Sequence, residues 1–239
     1  MSSPLLQLIG VSKSFPAGDA RIEVLRDAHL VLERGSSTAI MGPSGSGKST
    51  ILNLIGTLDR PDAGSILFEG KDLSTLSPTA QAEFRNRSLG FIFQSHHLLP
   101  HCTVLENTLV PCLAGVDRVE DEVLERARRL LDRVGLGHRL EHLPARLSGG
   151  ERQRVAVVRS LIRSPALVLA DEPTGALDRA SAADVTRLLL ELQSELATTL
   201  LVVTHSPELA GRMSRVLRME DGKLVPDDGL GRKSTSLNG

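Results

Sequence analysis

The stretch GPSGSGKST, residues 42–50, decides the fold of this chain. It satisfies the pattern GxxxxGK[S/T] directly after the short apolar run STAIM (37–41). It also opens KSTILNLIGTL (48–58), whose apolar residues at 51, 52, 54, 55 and 58 have helical spacing. A strand, a glycine-rich turn and a helix start in that order form a phosphate cradle. Gly45 and Gly47 let the backbone curl so that several N–H groups face one anion. Lys48 adds a mobile positive charge for the β and γ phosphates, Ser49 offers a hydroxyl to Mg2+, and Thr50 lies near the α phosphate. Gly42, Pro43, Ser44 and Ser46 complete the expected nucleotide-binding loop.

Such a loop needs a second element to hold the metal. ALVLADE (166–172) is an apolar strand that delivers Asp171 at its C-terminal tip, followed by Glu172. Ligands of open parallel sheets bind at the carboxyl ends of strands. Asp171 is therefore expected to bind Mg2+ through water, and Glu172 to polarise the attacking water as a general base. TLLVVTH (199–205) ends in His205, placed for a γ-phosphate contact. LGFIF (89–93) ends at Gln94, whose amide suits Mg2+ or the attacking water. The catalytic candidates are thus Lys48, Gln94, Glu172 and His205, and the metal candidates Ser49, Gln94 and Asp171.

Outward from these motifs, short apolar strands alternate with helical patterns, which predicts a parallel sheet covered on both faces. LLQLIGVS (5–12) and IEVLRDAHLVL (22–32) read as strands with a turn at GDA (18–20). PDAG (61–64) breaks the first helix and SILFEG (65–70) reads as a further strand. From about residue 96 to 160 a mostly helical insertion interrupts the α/β core. Within it, residues 119–136 place Val123, Leu124, Ala127, Leu130, Leu131 and Val134 on one helix face, with Gly135 as the stop. Helices are expected again over roughly 180–196 and near 206–213, with a strand at SRVLRM (214–219). PDDGLGRKSTSLNG (226–239) is almost devoid of apolar residues and reads as a flexible tail.

Composition sets limits on this reading. With 239 residues, 41% hydrophobic and 24% charged, the chain is long enough for one large core. A net charge of −1 excludes nucleic-acid binding by bulk positive charge. No apolar run approaches the ~20 residues of a membrane span, and MSSPLLQLIG lacks the basic start of a secretion signal. Cys102 and Cys112 lack CxxC spacing and read as free thiols of a reducing compartment. His96, His97, His101 and Cys102 crowd seven residues, but their spacing matches no structural zinc pattern.

A second glycine motif, LSGGERQ (147–153), also begins as phosphate sites begin, with a helix start whose N–H groups and dipole favour an anion. GPSGSGKST, Gln94, LSGGERQ, ALVLADE, GALD (175–178) and His205 occur in the order of an ABC-type ATPase cassette, which the chain resembles over residues 4–225. The resemblance implies a P-loop NTPase of α/β class, with a RecA-like core, an antiparallel β subdomain and an inserted helical subdomain. It makes residues 1–225 one ATPase domain. Two cassettes would pair head to tail around ATP and Mg2+. Each nucleotide would lie between residues 42–50 of one copy and Ser148, Gly149, Gly150 and Glu151 of the other. Ala176, Leu177 and Asp178 match the family's D-loop, and Asp178 would link the two sites across the dimer. Phe15, in VSKSFP, stands where the family usually stacks a tyrosine on adenine, so its ring can stack but offers the base no hydroxyl.

Three further segments narrow the resemblance. Residues 89–111, 171–178 and 202–224 resemble the branch of bacterial ABC ATPases that includes lipoprotein-releasing, MacB-type and FtsE-type members; HHLLP (96–100) is most similar to the lipoprotein-releasing kind. The branch implies an ATPase that drives a separate transmembrane permease, in lipoprotein release or MacB-type mechanotransmission. The alternative is FtsE-like activation of a cell-wall or division partner without transport. Either implies a second copy of the chain as partner, no nucleic acid, and a cytoplasmic location on the inner membrane, reached only through the permease. Leu98, Leu99, Val104 and Leu105 are expected to form a histidine-rimmed apolar groove for that subunit's coupling helix. A DNA-repair or chromosome ATPase would need a coiled coil or zinc module before LSGGERQ, and no heptads occur there.

Overall fold

The computed structural model describes residues 3–18, 20–114 and 118–227. In chain order these form β1 (Leu6–Ala17), β2 (Ala20–Leu32), β3 (Ser37–Met41), α1 (Lys48–Ile55), β4 (Ala63–Phe68), β5 (Lys71–Asp72), α2 (Pro78–Ser88), β6 (Leu89–Phe93) and α3 (Val104–Leu109). There follow α4 (Asp121–Arg133), α5 (Gly149–Leu161), β7 (Leu167–Asp171), α6 (Arg179–Glu195), β8 (Thr199–Thr204), α7 (Pro207–Ala210), β9 (Arg215–Glu220) and β10 (Lys223–Pro226). Two compact units emerge, residues 1–75 with 201–239, and residues 76–200.

The first unit holds an antiparallel sheet in the order β2-β1-β4-β5. Leu6, Leu8 and Val11 of β1 face its core, and the register slips between Leu8 and Val11. The cause is local: Gly10 and Gly64 both take positive φ, and a Cβ on Gly64 would lie 2.3 Å from the Gly10 carbonyl oxygen. Only glycine permits that close approach of β1 and β4. The same unit carries the run β10-β9-β3-β8 of the second sheet. There β3 and β9 are parallel from Thr38↔Arg215 to Met41↔Arg218, and β10 is antiparallel to β9. Ser37 and Ser214 lock the start of β3 to β9: the Ser37 N–H donates to Ser214 Oγ at 3.1 Å, and the Ser214 N–H to Ser37 Oγ at 3.0 Å.

In the second unit β6 and β7 pair in parallel, from Leu89↔Leu167 to Phe93↔Asp171. Helix α5 packs tightly here, because a Cβ on Gly90 would stand 2.2 Å from the Ser160 carbonyl oxygen. Its Val155, Ala156, Val157, Val158 and Leu161 are buried. A separate apolar cluster joins Leu109, Cys112, Ala127 and Ile162, with Val123, Leu124 and Leu130 against it. The amphipathic face read from residues 119–136 is therefore real, although α4 itself is shorter and Gly135 follows it at φ 75°.

Other expectations needed adjusting. Strand β1 continues to Ala17 rather than ending near 12, and α1 ends at Ile55, where Gly56 follows, rather than at 58. Helix α2 was not anticipated: none of its residues is buried, so it has no apolar period to read. Helix α7 is a single turn. Pro226, read as the first residue of a flexible tail, pairs within β10, and Asp227 accepts a 2.9 Å bond from Arg218; the rest of that expected tail, residues 228–239, lies outside the described residues. No helix among the described residues is long and apolar enough to cross a membrane.

Candidate functional site

In the first unit, β3 is buried through Ile40 and runs directly into the glycine loop. The loop turns on Gly45 (φ 78°) and Gly47 (φ 102°), the latter serving as N-cap of α1 with no side-chain cap. An N-cap without a side-chain acceptor leaves the first-turn N–H groups of α1 for a ligand. Position 47 admits no side chain, since a Cβ would meet Val24 Cγ1 at 2.8 Å and the Val24 carbonyl oxygen at 3.1 Å. Lys48 is buried, and its Nζ donates to the carbonyls of Gly42 and Pro43, both at 2.8 Å. Ser46 Oγ is buried with no hydrogen-bond partner, which a phosphate oxygen would satisfy. A cleft of about 890 Å3 opens here, walled by Ile22 and Val24 of β2, Pro43 and Ser46 of the loop, His205, and Glu220 of β9. His205, at the end of β8, thus stands at the same cleft as the glycine loop.

Phe15 is not a wall of that cleft, but its cross-strand partner Ile22 is. Both are exposed, Ile22 by 58% and Phe15 by 38%, and together they offer an apolar surface of the kind an adenine needs. Lys13 braces Phe15 with Nζ 5.3 Å from the ring centroid, while bonding Asp59 Oδ1 at 2.7 Å. Sequence reasoning missed the β2 wall and the β9–β10 turn. The available signal was Ile22 itself, a large apolar side chain that opens its strand and is left uncovered.

In the second unit, the β6–β7 register sets Phe93 beside Asp171, so Gln94 and Glu172 leave neighbouring strand tips. Glu172 holds a left-handed backbone at φ 45°, an unusual state for a side-chain-bearing residue and one common at functional sites. A Cβ on Gly175 would meet Gln94 Nε2 at 3.0 Å and Glu172 Cβ at 3.4 Å. The missing side chain at 175 is therefore what lets the Gln94 amide rest against the carboxylate loop. Among the described residues no group of three or more His, Cys, Asp or Glu side chains is arranged to hold a metal. The expected Mg2+ set is of another kind: a hydroxyl, an amide, one carboxylate and phosphate oxygens, which suits a cation that keeps waters and binds substrate phosphate.

The second glycine motif is also in this unit. Ser148 caps α5 in a reciprocal box: Glu151 N–H donates to Ser148 Oγ at 3.2 Å, and Ser148 N–H donates to Glu151 Oε2 at 2.7 Å. That backbone N–H holds the Glu151 carboxyl below its ordinary pKa. Gly149 and Gly150 pack beside Leu177 and Ser181, where a Cβ would stand 3.4 Å and 3.3 Å away. Asp178 caps α6, accepting from the N–H groups of Ala180 and Ser181 at 3.0 Å each, and the Ser181 hydroxyl lowers its pKa. The structure thus brings residues 148–151 together with Leu177 and the start of α6.

The histidine-rimmed groove is corrected. Val104 is 1% exposed because the Thr103–Glu106 capping box turns α3 so that this residue faces the core. Leu105 packs on the Leu109 cluster, and His96 is buried rather than at a rim. Leu98 and Leu105 are half-buried, Leu99 is 46% exposed, and of the expected rim His97 and His101 are exposed.

A cradle that leaves a helix start uncapped, on an α/β fold with an added antiparallel sheet, defines the class of protein: an ATP-binding cassette. Residues 25–175 match the ABC transporter family model, and the chain belongs to that family as an ATP-hydrolysing cassette. It is 52% identical over 225 residues to the lipoprotein-releasing system ATP-binding protein LolD of Shewanella sp. strain MR-4, across 94% of this chain and 96% of that protein. It is also 52% identical over 229 residues to LolD of Shewanella oneidensis, across 95% and 99%. Among solved structures it is similar to the ATP-binding cassette MJ0796, a dimer in a post-hydrolysis state bound to ADP and Pi. The TM-score is 0.83 at 36% identity, covering 92% of this chain and 96% of that one.

Proposed function

We propose that this chain is the nucleotide-binding subunit of a lipoprotein-releasing ABC transporter, working as an ATP-sandwich homodimer on a separate transmembrane permease at the cytoplasmic face of the inner membrane. Identity of about half over nearly the full length of the LolD relatives supports the cargo class. The dimeric MJ0796 neighbour supports the pairing. The observation that carries the chemistry is the glycine loop, with Lys48 held on two backbone carbonyls and Ser46 Oγ unsatisfied beside an uncapped helix start.

From that geometry the chain's residues act in order. Phe15 and Ile22 receive the base, and the Gly42–Thr50 loop receives the phosphates. Lys48 exchanges two neutral carbonyls for the β and γ oxygens, a charge-assisted bond that gains more than it gives up. Ser49, Gln94 and Asp171 would hold Mg2+, which supplies charge neutralisation at the phosphates. The partner copy offers the Ser148–Glu151 helix start to the γ-phosphate, and Asp178 links the two sites. Glu172 accepts a proton from the water that attacks the γ-phosphorus as the bond to ADP breaks. His205 contacts the γ-phosphate. Loss of that group removes the charge holding the copies together, and they part. The whole of residues 1–225 acts as one ATPase domain, its helical part at about 96–160 turned to the permease.

Glu172→Gln tests this reading. Turnover should fall about a hundredfold or more, and the protein should run as a dimer on size exclusion only with Mg-ATP. Normal hydrolysis, or a monomer under every nucleotide condition with the permease also present, would sink it. Co-purification of a permease from detergent-solubilised membranes tests the partner.

A further inference from the structure

Behind Gln94 the chain takes two consecutive left-handed residues, His96 (φ 60°) and His97 (φ 49°), neither of them glycine. L side chains crowd the backbone in this conformation, so a pair persists only where its surroundings hold it. The turn is tight: the His97 N–H donates to the Ser95 carbonyl at 2.6 Å and the His96 N–H to the Phe93 carbonyl at 3.2 Å.

Most of the holding groups stand on α5. The Arg159 guanidinium donates from Nη2 to the His96 carbonyl at 2.5 Å and from Nη1 to the His97 carbonyl at 2.6 Å. The His96 ring bonds through Nδ1 to Oε1 of Gln153, which is wholly buried. From β6, the Phe93 ring lies 4.7 Å from the His97 ring. A planar fork on two successive carbonyls fixes both their separation and their direction, which a lysine ammonium does not. Helix α5 begins at the Ser148 cap. One helix therefore carries both the start proposed to face a partner's nucleotide and the fork that fixes the turn behind Gln94.

We propose that Arg159 is a positioning residue for ATP hydrolysis: its fork fastens the turn after Gln94 to α5, so that Gln94 in one nucleotide site follows the engagement of Ser148–Gly150 with the other. Arg159 touches no substrate in this scheme. The linkage rests on the two-copy reading above; the effect on rate rests only on the turn.

The test compares the full chain with Arg159→Ala, Arg159→Lys and Arg159→Ala combined with His97→Gly. It measures kcat and KM for ATP and equilibrium binding of a fluorescent ATP analogue. For Arg159→Ala, kcat should fall about tenfold or more, as when a catalytic group is misplaced by a distant change, with KM and analogue affinity within about twofold. Lysine should recover part of the rate. Glycine at 97 tolerates the left-handed backbone and should also recover part in the alanine background. The proposal is overturned if Arg159→Ala keeps kcat within about twofold, if analogue affinity falls in step with kcat, or if neither lysine nor glycine raises the rate above alanine. Should Arg159→Ala not fold, Arg159→Lys carries the test: a lowered kcat at an unchanged Tm supports the proposal, and an unchanged kcat overturns it. Failure of the two-copy reading shows separately, as absence of an Mg-ATP-dependent dimer of Glu172→Gln.

Discussion

Helices α1 and α5 both start beside glycines, yet their first turns are finished in opposite ways. Helix α1 is entered through left-handed Gly47 with no side-chain cap, and the Lys48 cation there rests on neutral carbonyls. Helix α5 is closed by its own Ser148–Glu151 box. The first is a socket whose groups await an anion. The second is complete alone and carries a carboxylate in its first turn; in the proposed reading it is a surface for a phosphate already bound in the other copy. A chain with one open and one self-satisfied glycine start suits a nucleotide that enters one copy first and meets the other copy second.

The comparison breaks most sharply at Lys48. Lys48→Ala should reduce ATP turnover about a hundredfold or more, with weakened binding of a fluorescent ATP analogue, because the open socket loses its mobile charge. An alanine variant with ordinary affinity and rate would place the phosphate elsewhere. Ser148→Arg should act on the other start alone. Nucleotide binding by the single chain should stay within about twofold, while Mg-ATP-dependent dimerisation in the Glu172→Gln background is abolished, as light scattering would show. The smallest effect belongs to the cap. Glu151→Gln keeps the shape of the box but removes its charge, and should cost about 0.5 kcal/mol near neutral pH, the scale of one charge at a helix start.

The sign with pH follows from Glu151. Its folded pKa lies below the ordinary glutamate value because the Ser148 N–H bonds the carboxylate. The stabilisation is therefore full above the unfolded pKa and disappears as pH falls through the folded one. Urea unfolding of the parent and Glu151→Gln should converge in acid; a gap that widened there would contradict the cap.

The sequence revealed the socket best because each of its parts has a local cause. STAIM matches β3 and LGFIF matches β6 residue for residue, and Gly45 and Gly47 take the left-handed angles their motif requires. Features set by distant contacts were not legible. Helix α2 buries nothing and so left no apolar period. Val104 read as a groove residue until the Thr103 box showed which way α3 turns. The cleft walls at Ile22, Val24 and Glu220 come from strands far apart in the chain, and no spacing announces them. Nothing in the sequence singled out Arg159, because the two carbonyls it grips belong to residues some sixty positions earlier.

The contact between Val24 and position 47 has a consequence for genetics. Strand β2 acts as a mould against which the phosphate loop is cast, so close that a single added carbon at position 47 would already collide with Val24. A bulkier side chain at 24 would push the casting out of shape while leaving every motif residue in place. Lesions in that strand should therefore surface as loss of nucleotide affinity, and a screen that looks only inside the motifs would misassign them.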